Sequence, residues 1–387
     1  MIPGNDKNVG YSSPNMIDVA ASPGAESPNL PPEIGQSKFY ENIHLDIFHG
    51  PMDKEDIALV LNNNGEYLIA NGFVDIKSKL GVWIKWADQL TFYPVIEDIE
   101  QGTCTFNGLV AKPNLTELLA HHDTTQQPIT TAPDGPKLMY GIKKQSWELD
   151  HKNVKTEKEL GSGAFGTVYL GSLFRNGQWI PAAIKVPRLD KAKKEAQTAE
   201  FLQEARIQRD YLHVNIVRLF GVATNGPDIL IVLEYVNGGD LLSYVKKNPH
   251  LNVTMRLAFC FDVASGMAYL HKIQCLHRDM AARNCLVVQS PCYCKITDFG
   301  LSAKGLNQAV SKTKSVPIRW IAPEVIKTGT YEAASDVWSL GVMFWEVYTF
   351  CKDLPYAKIK ELKEVQVQLK SNPNFRPDMA KKAEPPL

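Results

Sequence analysis

The run His277-Arg278-Asp279-Met280-Ala281-Ala282-Arg283-Asn284 sets a carboxylate and a carboxamide five residues apart, and Asp298-Phe299-Gly300 follows it. Upstream lie a glycine-rich run, Gly161-Ser162-Gly163-Ala164-Phe165-Gly166, and Lys185 inside an apolar stretch from Ile180 to Val186. Each piece alone is weak. A single Asp or Asn on a loop is usually a turn or cap residue, and a glycine run is often a plain hairpin turn. Together the chemistry narrows. A loop acid can accept or orient the proton of an attacking hydroxyl. An amide and a carboxylate offer the hard oxygens that magnesium prefers. Glycines let backbone amides approach phosphate oxygens unobstructed. An ammonium on an apolar strand needs an anionic partner. A chain carrying all four must fold so that distant segments meet.

The flanks sharpen each piece. A dinucleotide fingerprint must open a helix, but Gly166 is followed by the β-branched and aromatic run Thr167-Val168-Tyr169-Leu170. The pattern predicts a strand, a glycine turn and a second strand. Ile180 to Val186 reads as the next strand. A helix is predicted from Thr198 to about Asp210, with Glu204 in Phe201-Leu202-Gln203-Glu204-Ala205 as the acid for Lys185 and Glu200 as the alternative. Charges on a helix usually mark a solvated face; the lysine's need for a partner outweighs that here. Ile229 to Leu233 is an apolar strand leading into Glu234-Tyr235-Val236-Asn237-Gly238-Gly239, and Phe259 to His271 reads as a helix with apolar residues at helical spacing.

With Ala182-Ala183-Ile184-Lys185, these motifs resemble the protein kinases. The resemblance implies a bilobal kinase fold from residue 147 to 387, using ATP and Mg2+. It implies nucleotide contacts from Leu160, Gly161, Ser162, Gly163, Ala164, Phe165, Gly166, Thr167 and Val168, from Lys185 with Glu204, and from the backbone at Glu234 and Val236. Asp279 would be the catalytic acid–base group, with Lys185 and Arg283 also catalytic, and Asn284 and Asp298 would hold the metal. Arg283 before the Asn, and Ala281 where serine/threonine kinases carry a lysine, resemble the tyrosine kinases. So does Pro317-Ile318-Arg319-Trp320, a platform on which a flat ring would rest. The expected substrates are proteins bearing tyrosine. The chain is most similar to the Fes/Fer group of non-receptor tyrosine kinases, whose membrane-binding N-terminal part is not seen here.

Residues 39–130 predict a smaller domain. A helix from Asp53 to Asn62 leads to a buried strand at Tyr67-Leu68-Ile69, then to Val82–Trp86 and Leu90–Tyr93, and to a second helix around Leu115–Leu119. This order, with Phe48-His49-Gly50 and Leu118-Leu119-Ala120-His121-His122, resembles an SH2 domain: a central antiparallel sheet flanked by two helices. The family grips phosphotyrosine with an arginine on the central strand. Ala70 stands at that position, and Lys54 alone is a poor replacement for the bidentate fork. The domain is expected to brace the kinase and to reach protein partners, with phosphotyrosine capture doubtful. Arginine restored at position 70 would be expected to create that binding.

Residues 1–36, rich in Pro, Ser, Gly and Asn, are expected to be a disordered tail, and 131–146, with Pro133-Asp134-Gly135-Pro136, a linker. The whole is an α+β chain. Lys plus Arg and Asp plus Glu are 42 each, so nothing points to nucleic acid. Seven scattered cysteines predict free thiols in a reducing compartment. No apolar run is expected to be long enough to span a bilayer, and Ile2 excludes N-myristoylation. The expected location is cytoplasmic, or peripheral at the membrane through partners.

Two departures from the family bear on activity. The segment from Asp298 to Glu324 holds no tyrosine, so Arg278 lacks its usual phosphorylated partner; Ser311, Thr313 and Ser315 are the hydroxyls another kinase could modify. The large lobe also looks incomplete: Asn374-Phe375-Arg376-Pro377 resembles the segment before the last helices, and Arg376 is the candidate to replace the arginine that pairs with Glu324. The alternative to an active kinase is a catalytically weak SH2/kinase-like scaffold.

Overall fold

The computed structural model describes residues 46–52, 54–74, 77–163, 166–188, 194–226, 228–310, 316–372 and 374–378. The N-terminal tail, Asp53, Ala164, Phe165, Ser311, Thr313 and Ser315 lie outside them. The chain forms two compact units. One runs through Ala199 and takes in Phe220–Val232; the other holds Glu200–Leu219 and the chain from Leu233 on.

The first unit opens with β1 (Phe48–Pro51), α1 (Lys54–Val60), β2 (Glu66–Val74), β3 (Lys77–Trp86) and β4 (Gln89–Pro94). A short pair, β5 (Ile96–Asp98) and β6 (Thr103–Thr105), precedes α2 (Leu115–Thr125). Asn114 starts α2: its side chain accepts from the Glu117 amide, satisfying one of the orphan donors of the first turn. β2, β3 and β4 are antiparallel as expected, but the sheet is mixed, because β1 joins β2 in parallel. Alternation along β2 divides the domain. Tyr67 and Ile69 face Leu115, Leu118 and Leu119 of α2, whereas Leu68 and Ala70 pack with Ile57 and Leu61 around α1. Ala70 is fully buried in that second, apolar cluster, with Trp83 and Leu90 against it.

The stretch expected as a linker adds to this sheet. β7 (Tyr140–Gly141) pairs in parallel with Glu66 and Tyr67, and the Ile142 amide donates to the Tyr67 carbonyl. Then β8 (Glu148–Leu149) enters a second sheet with β9 (Val154–Gly163), β10 (Gly166–Arg175), β11 (Gln178–Val186), β12 (Leu219–Ala223) and β13 (Leu230–Glu234). Its order is β8-β12-β13-β11-β10-β9. Leu173, Ala182, Ile184, Ala223, Leu230 and Val232 form its core. Helix α3 (Lys194–Gln208) starts four residues before the expected Thr198.

The second unit is mostly helical: α4 (Leu241–Lys247), α5 (Val253–Lys272), α6 (Pro323–Thr328), α7 (Ala333–Tyr348) and α8 (Leu362–Ser371). Short strands punctuate it: β14 (Cys275–Leu276), the hairpin β15 (Cys285–Gln289) and β16 (Cys292–Ile296), β17 (Ala303–Lys304), β18 (Asn307–Ala309) and β19 (Thr330–Glu332). Among the described residues α5 alone is long and apolar enough to cross a membrane. That corrects the expectation of no such run. Its Phe259, Val263, Met267 and Leu270 belong to the main core, with Met343 and Val347 of α7, which accounts for its apolarity. At the far end the Phe375 ring stacks on Tyr356, the Arg376 guanidinium lies 4.2 Å from the Trp338 ring centre, and Glu324 accepts from the Ser335 hydroxyl.

Candidate active site

Two antiparallel pairings assemble the glycine-rich piece. Gly161 sits opposite Val168, and Val168 opposite Lys185, so three of the expected residues line up across β9, β10 and β11. The two predicted strands therefore form, with Ser162 opposite Thr167 and Gly163 opposite Gly166, while the expected turn residues Ala164 and Phe165 lie outside the described residues. Glycine is required at 166: its φ is +143°, and a Cβ would lie 2.1 Å from the Val186 carbonyl oxygen. Gly161 and Gly163 face open space. Ser162 is tied by its hydroxyl to Thr167 and to the Arg188 guanidinium, and Leu160 is exposed. Lys185 is buried on β11.

The other unit holds the acid, the amide and the Asp-Phe-Gly residues. Asp336, fully buried on α7, accepts from the backbone amides of both His277 and Arg278 at 2.8 Å. Those two bonds hold Arg278 at φ +66°, a left-handed conformation that a non-glycine residue adopts only when its surroundings enforce it. His277 lies beneath the loop. Its Nε2 donates to the Thr297 carbonyl, and its Nδ1 accepts from the Asp279 amide. Three side chains then meet. Arg283 reaches the Asp279 carboxylate at 2.5 Å, and the Asn284 amide nitrogen donates to Asp279 Oδ2 at 2.8 Å and to its carbonyl at 2.7 Å. Burial pushes the Asp279 carboxyl above the usual carboxylate range, and the Arg283 guanidinium opposes that shift.

The hairpin of β15 and β16 brings in Asp298. Cys285 pairs with Ile296, and the Thr297 amide donates to the Asn284 carbonyl. Asn284 thus sits against the residue preceding Asp298, which is itself at φ +63°. Phe299 is buried, edge-on to Tyr211 and His277. Because the Asn284 nitrogen is spent on Asp279, its Oδ1 is the atom left to face a cation. With the Asp298 carboxylate this is a hard-oxygen pair, which fits a divalent metal such as Mg2+. Among the described residues no group of three His, Cys, Asp or Glu could hold a metal ion, so further ligands would come from a phosphate or water.

Glu234 is fixed at the start of the Glu234–Gly239 segment. Its amide donates to the Arg218 carbonyl, and its carboxylate accepts from the Arg218 amide and from Lys295 at 2.9 Å. Val236 and Glu204 are buried in their own segments.

Three residues carry structure that sequence reading left unassigned. Asp336 is one. Glu346, on the otherwise apolar α7, accepts from the Ala282 amide at 2.9 Å and from the Trp320 indole at 3.0 Å. Both hold the loop from behind, and a lone acid amid apolar helix residues was the available signal. The third is Tyr331, whose ring lies under the Arg278 guanidinium. Arg278 also donates to the carbonyls of Leu301 and Ser302, so it is engaged without a phosphate. The platform expectation needs correction: Ile318, Arg319 and Trp320 are buried, and Arg319 donates to the carbonyls of Pro355, Tyr356 and Ile359. Only Pro317 is partly exposed. Trp320 instead stacks under Arg283, 4.4 Å from its ring centre.

Residues 154–384 match the family model described as protein tyrosine and serine/threonine kinase. The transforming protein Fps, a tyrosine-protein kinase of avian sarcoma virus (strain PRCII), is 34% identical over 81% of this chain and 57% of its own length. Fer-related kinase 1 of Caenorhabditis elegans is 33% identical over 78% of this chain and 76% of its own. The tyrosine-protein kinase Fer of Rattus norvegicus is 36% identical over 82% of this chain. The chain spans just over half the length of Fps, at 57%, and little more than a third of Fer, at 37%. Taken with a loop that joins Asp279, Arg283 and Asn284 beside Asp298, the match over more than half of its residues means that this chain belongs to the protein tyrosine and serine/threonine kinase family.

Proposed function

We propose that the chain is a non-receptor protein tyrosine kinase, transferring the γ-phosphate of ATP to tyrosine hydroxyls of protein substrates. One observation carries the choice of acceptor: Arg283 is drawn onto the Asp279 carboxylate and stacked on Trp320, while Ala281 replaces a lysine at the loop's second position. The tyrosine-protein kinase names of Fps and Fer agree with it.

In this reading Asp279 orients the phenol and takes its proton as the new bond forms. Arg283 and Asn284 hold the carboxylate in place. A divalent ion, when bound, neutralises charge on the phosphates; Asn284 Oδ1 and Asp298 would be its protein ligands. The amides of the Gly161–Gly166 turn receive the phosphates, Lys185 supplies their cation, and Glu204 is assigned as the acid that serves the lysine. Glu234 and Val236 offer backbone groups to the base.

Residues 39–130 are read as an SH2-like domain, supported in their described part by a sheet between α1 and α2. Its use as a phosphotyrosine receptor through position 70 is disfavoured by the apolar burial of Ala70.

The test is transfer from Mg-ATP to a tyrosine peptide and to its serine counterpart, with Asp298→Ala as the blank. Transfer to tyrosine above the blank is expected. Transfer to serine alone would move the chain to the other branch of the family. No transfer, with ATP still raising the melting temperature, would leave a nucleotide-binding scaffold.

A further inference from the structure

A tyrosine kinase whose segment from Asp298 to Glu324 carries no tyrosine must place any phosphate it puts on itself elsewhere. An acceptor phenol has to leave its surroundings and reach a loop carboxylate, so a packed tyrosine needs local unfolding first. Among the described residues Tyr140 alone of the tyrosines is exposed, at 58%. The others among them are buried or half-buried. Tyr211 packs on Phe299, the Tyr269 hydroxyl accepts from the Leu212 amide, Tyr331 lies under Arg278, and burial pushes Tyr67 and Tyr356 each up to about 12.

The backbone at Tyr140 is also suited to capture. β7 is two residues long, and Met139 and Tyr140 share a single acceptor, the Gly65 carbonyl. Few bonds therefore hold it, and an extended segment is the form in which a chain adds to another protein's strand. From these observations we infer that Tyr140 is an acceptor site for this chain's own kinase activity, an inference that rests on the proposed function. The Tyr140 phenolic oxygen bonds to the γ-phosphorus of ATP. The bond from that phosphorus to the β,γ-bridging oxygen breaks, its electron pair leaves with ADP, and the phenol proton passes to Asp279.

The position gives the modification a consequence. Tyr140 is the register partner of Glu66, so a phosphate sets two like charges across the pairing. Beyond it, the Ile142 carbonyl bonds His49, Lys143 pairs with Asp46, and Lys144 pairs with Asp150. The phosphate competes with both aspartates for those lysines and loosens the strap from 139 to 144.

The experiment incubates the whole chain with Mg-ATP and an exogenous tyrosine peptide, then maps phosphotyrosine by tandem mass spectrometry. Phosphate on Tyr140, absent from Asp298→Ala, is expected. Tyr140→Phe should lose most self-incorporated phosphate while peptide transfer is unchanged. Peptide transfer with Tyr140 unmodified, or with phosphate confined to Tyr11 or Tyr40 (both outside the described residues), overturns the inference and leaves the kinase reading standing. No transfer to either removes both.

Discussion

Asp279 shows how one side chain is prepared by its neighbours. Burial disfavours its charge and holds the carboxyl above its ordinary value, and Arg283 at 2.5 Å offsets only part of that. Asp279→Asn keeps the shape and the Asn284 contact but removes the proposed proton acceptor. It should lower kcat by about 10²–10⁴-fold, the usual worth of a positioned acid–base group, with nucleotide affinity little changed. Steady-state kinetics beside ATP titration would show it; equal losses in both would mean the loop had collapsed instead. Ala70 makes the opposite point. Sequence comparison predicts that arginine there creates phosphotyrosine binding. The residue is fully buried against Ile57, Leu61, Leu68 and Trp83, so Ala70→Arg forces bulk and charge into packed apolar space. Overpacking alone costs about 1–3 kcal/mol. Urea denaturation should show a lower midpoint, and phosphopeptide titration no gain. Micromolar binding by the variant would show that the α1 side of the sheet opens readily.

At the level of elements, α7 is the frame of the loop of residues 277–284. Asp336 accepts two backbone amides and the His271 ring from one buried carboxylate. Asp336→Ala leaves the amides of His277 and Arg278 unsatisfied, at about 1–3 kcal/mol each, and releases Arg278 from φ +66°. Melting temperature and peptide transfer should fall together, whereas loss of transfer alone would place Asp336 in the chemistry. Helix α2 carries a pH dependence. His122 is buried, its Nδ1 donates to the Gln127 carbonyl, and burial holds its pKa below the ordinary histidine value. A depressed histidine contributes stability that is present above its unfolded pKa, about 6.5, and lost as pH falls through the lower folded value. Denaturation midpoints between pH 8 and pH 5 should decline, and His122→Phe should flatten that decline. These elements also mark what was legible. Asp279, Asn284 and Asp298 could be read because the loop and hairpin fix their spacing locally. Asp336 and Glu346 act on backbone 59 and 64 residues away, and no local pattern encodes that. The strand β7 is paired through main-chain amides, which leave no side-chain signature, so Tyr140 to Lys144 read as linker. Helix α5 was read from Phe259, where its apolar spacing becomes clear, although Asn252 caps it before Val253.

For the whole molecule, the smaller domain and the sheet that holds β9, β10 and β11 fall within one compact unit, and a buried polar joint runs between them. His49 on β1 has both ring nitrogens engaged: Nδ1 with the Glu148 carboxylate at 2.8 Å, Nε2 with the Ile142 carbonyl at 2.9 Å. Its own carbonyl accepts from the Thr224 hydroxyl, and Gly50 beside it is at φ +70°, where a Cβ would strike that threonine at 2.5 Å. Glu148 opens β8, which pairs with Val222 and Ala223 of β12, so the bond passes from one sheet into the other. Asp150 extends the joint, accepting from Lys144 and Asn225. The side chains of His49 and Glu148 are 0% and 6% exposed, and removing one partner of a buried pair strands the other at about 3–5 kcal/mol. Since that pair spans two sheets, its loss should weaken their coupling more than either sheet. Calorimetry of Glu148→Ala should split an unfolding step that the native chain takes as one, and proteolysis between residues 139 and 147 should accelerate. His49→Ala should do the same, and the double substitution should add little, because each single change has already broken the bond. If the two substitutions add in full, the ring and the carboxylate act independently, and the sheets are held together through Thr224 and Asp150 instead.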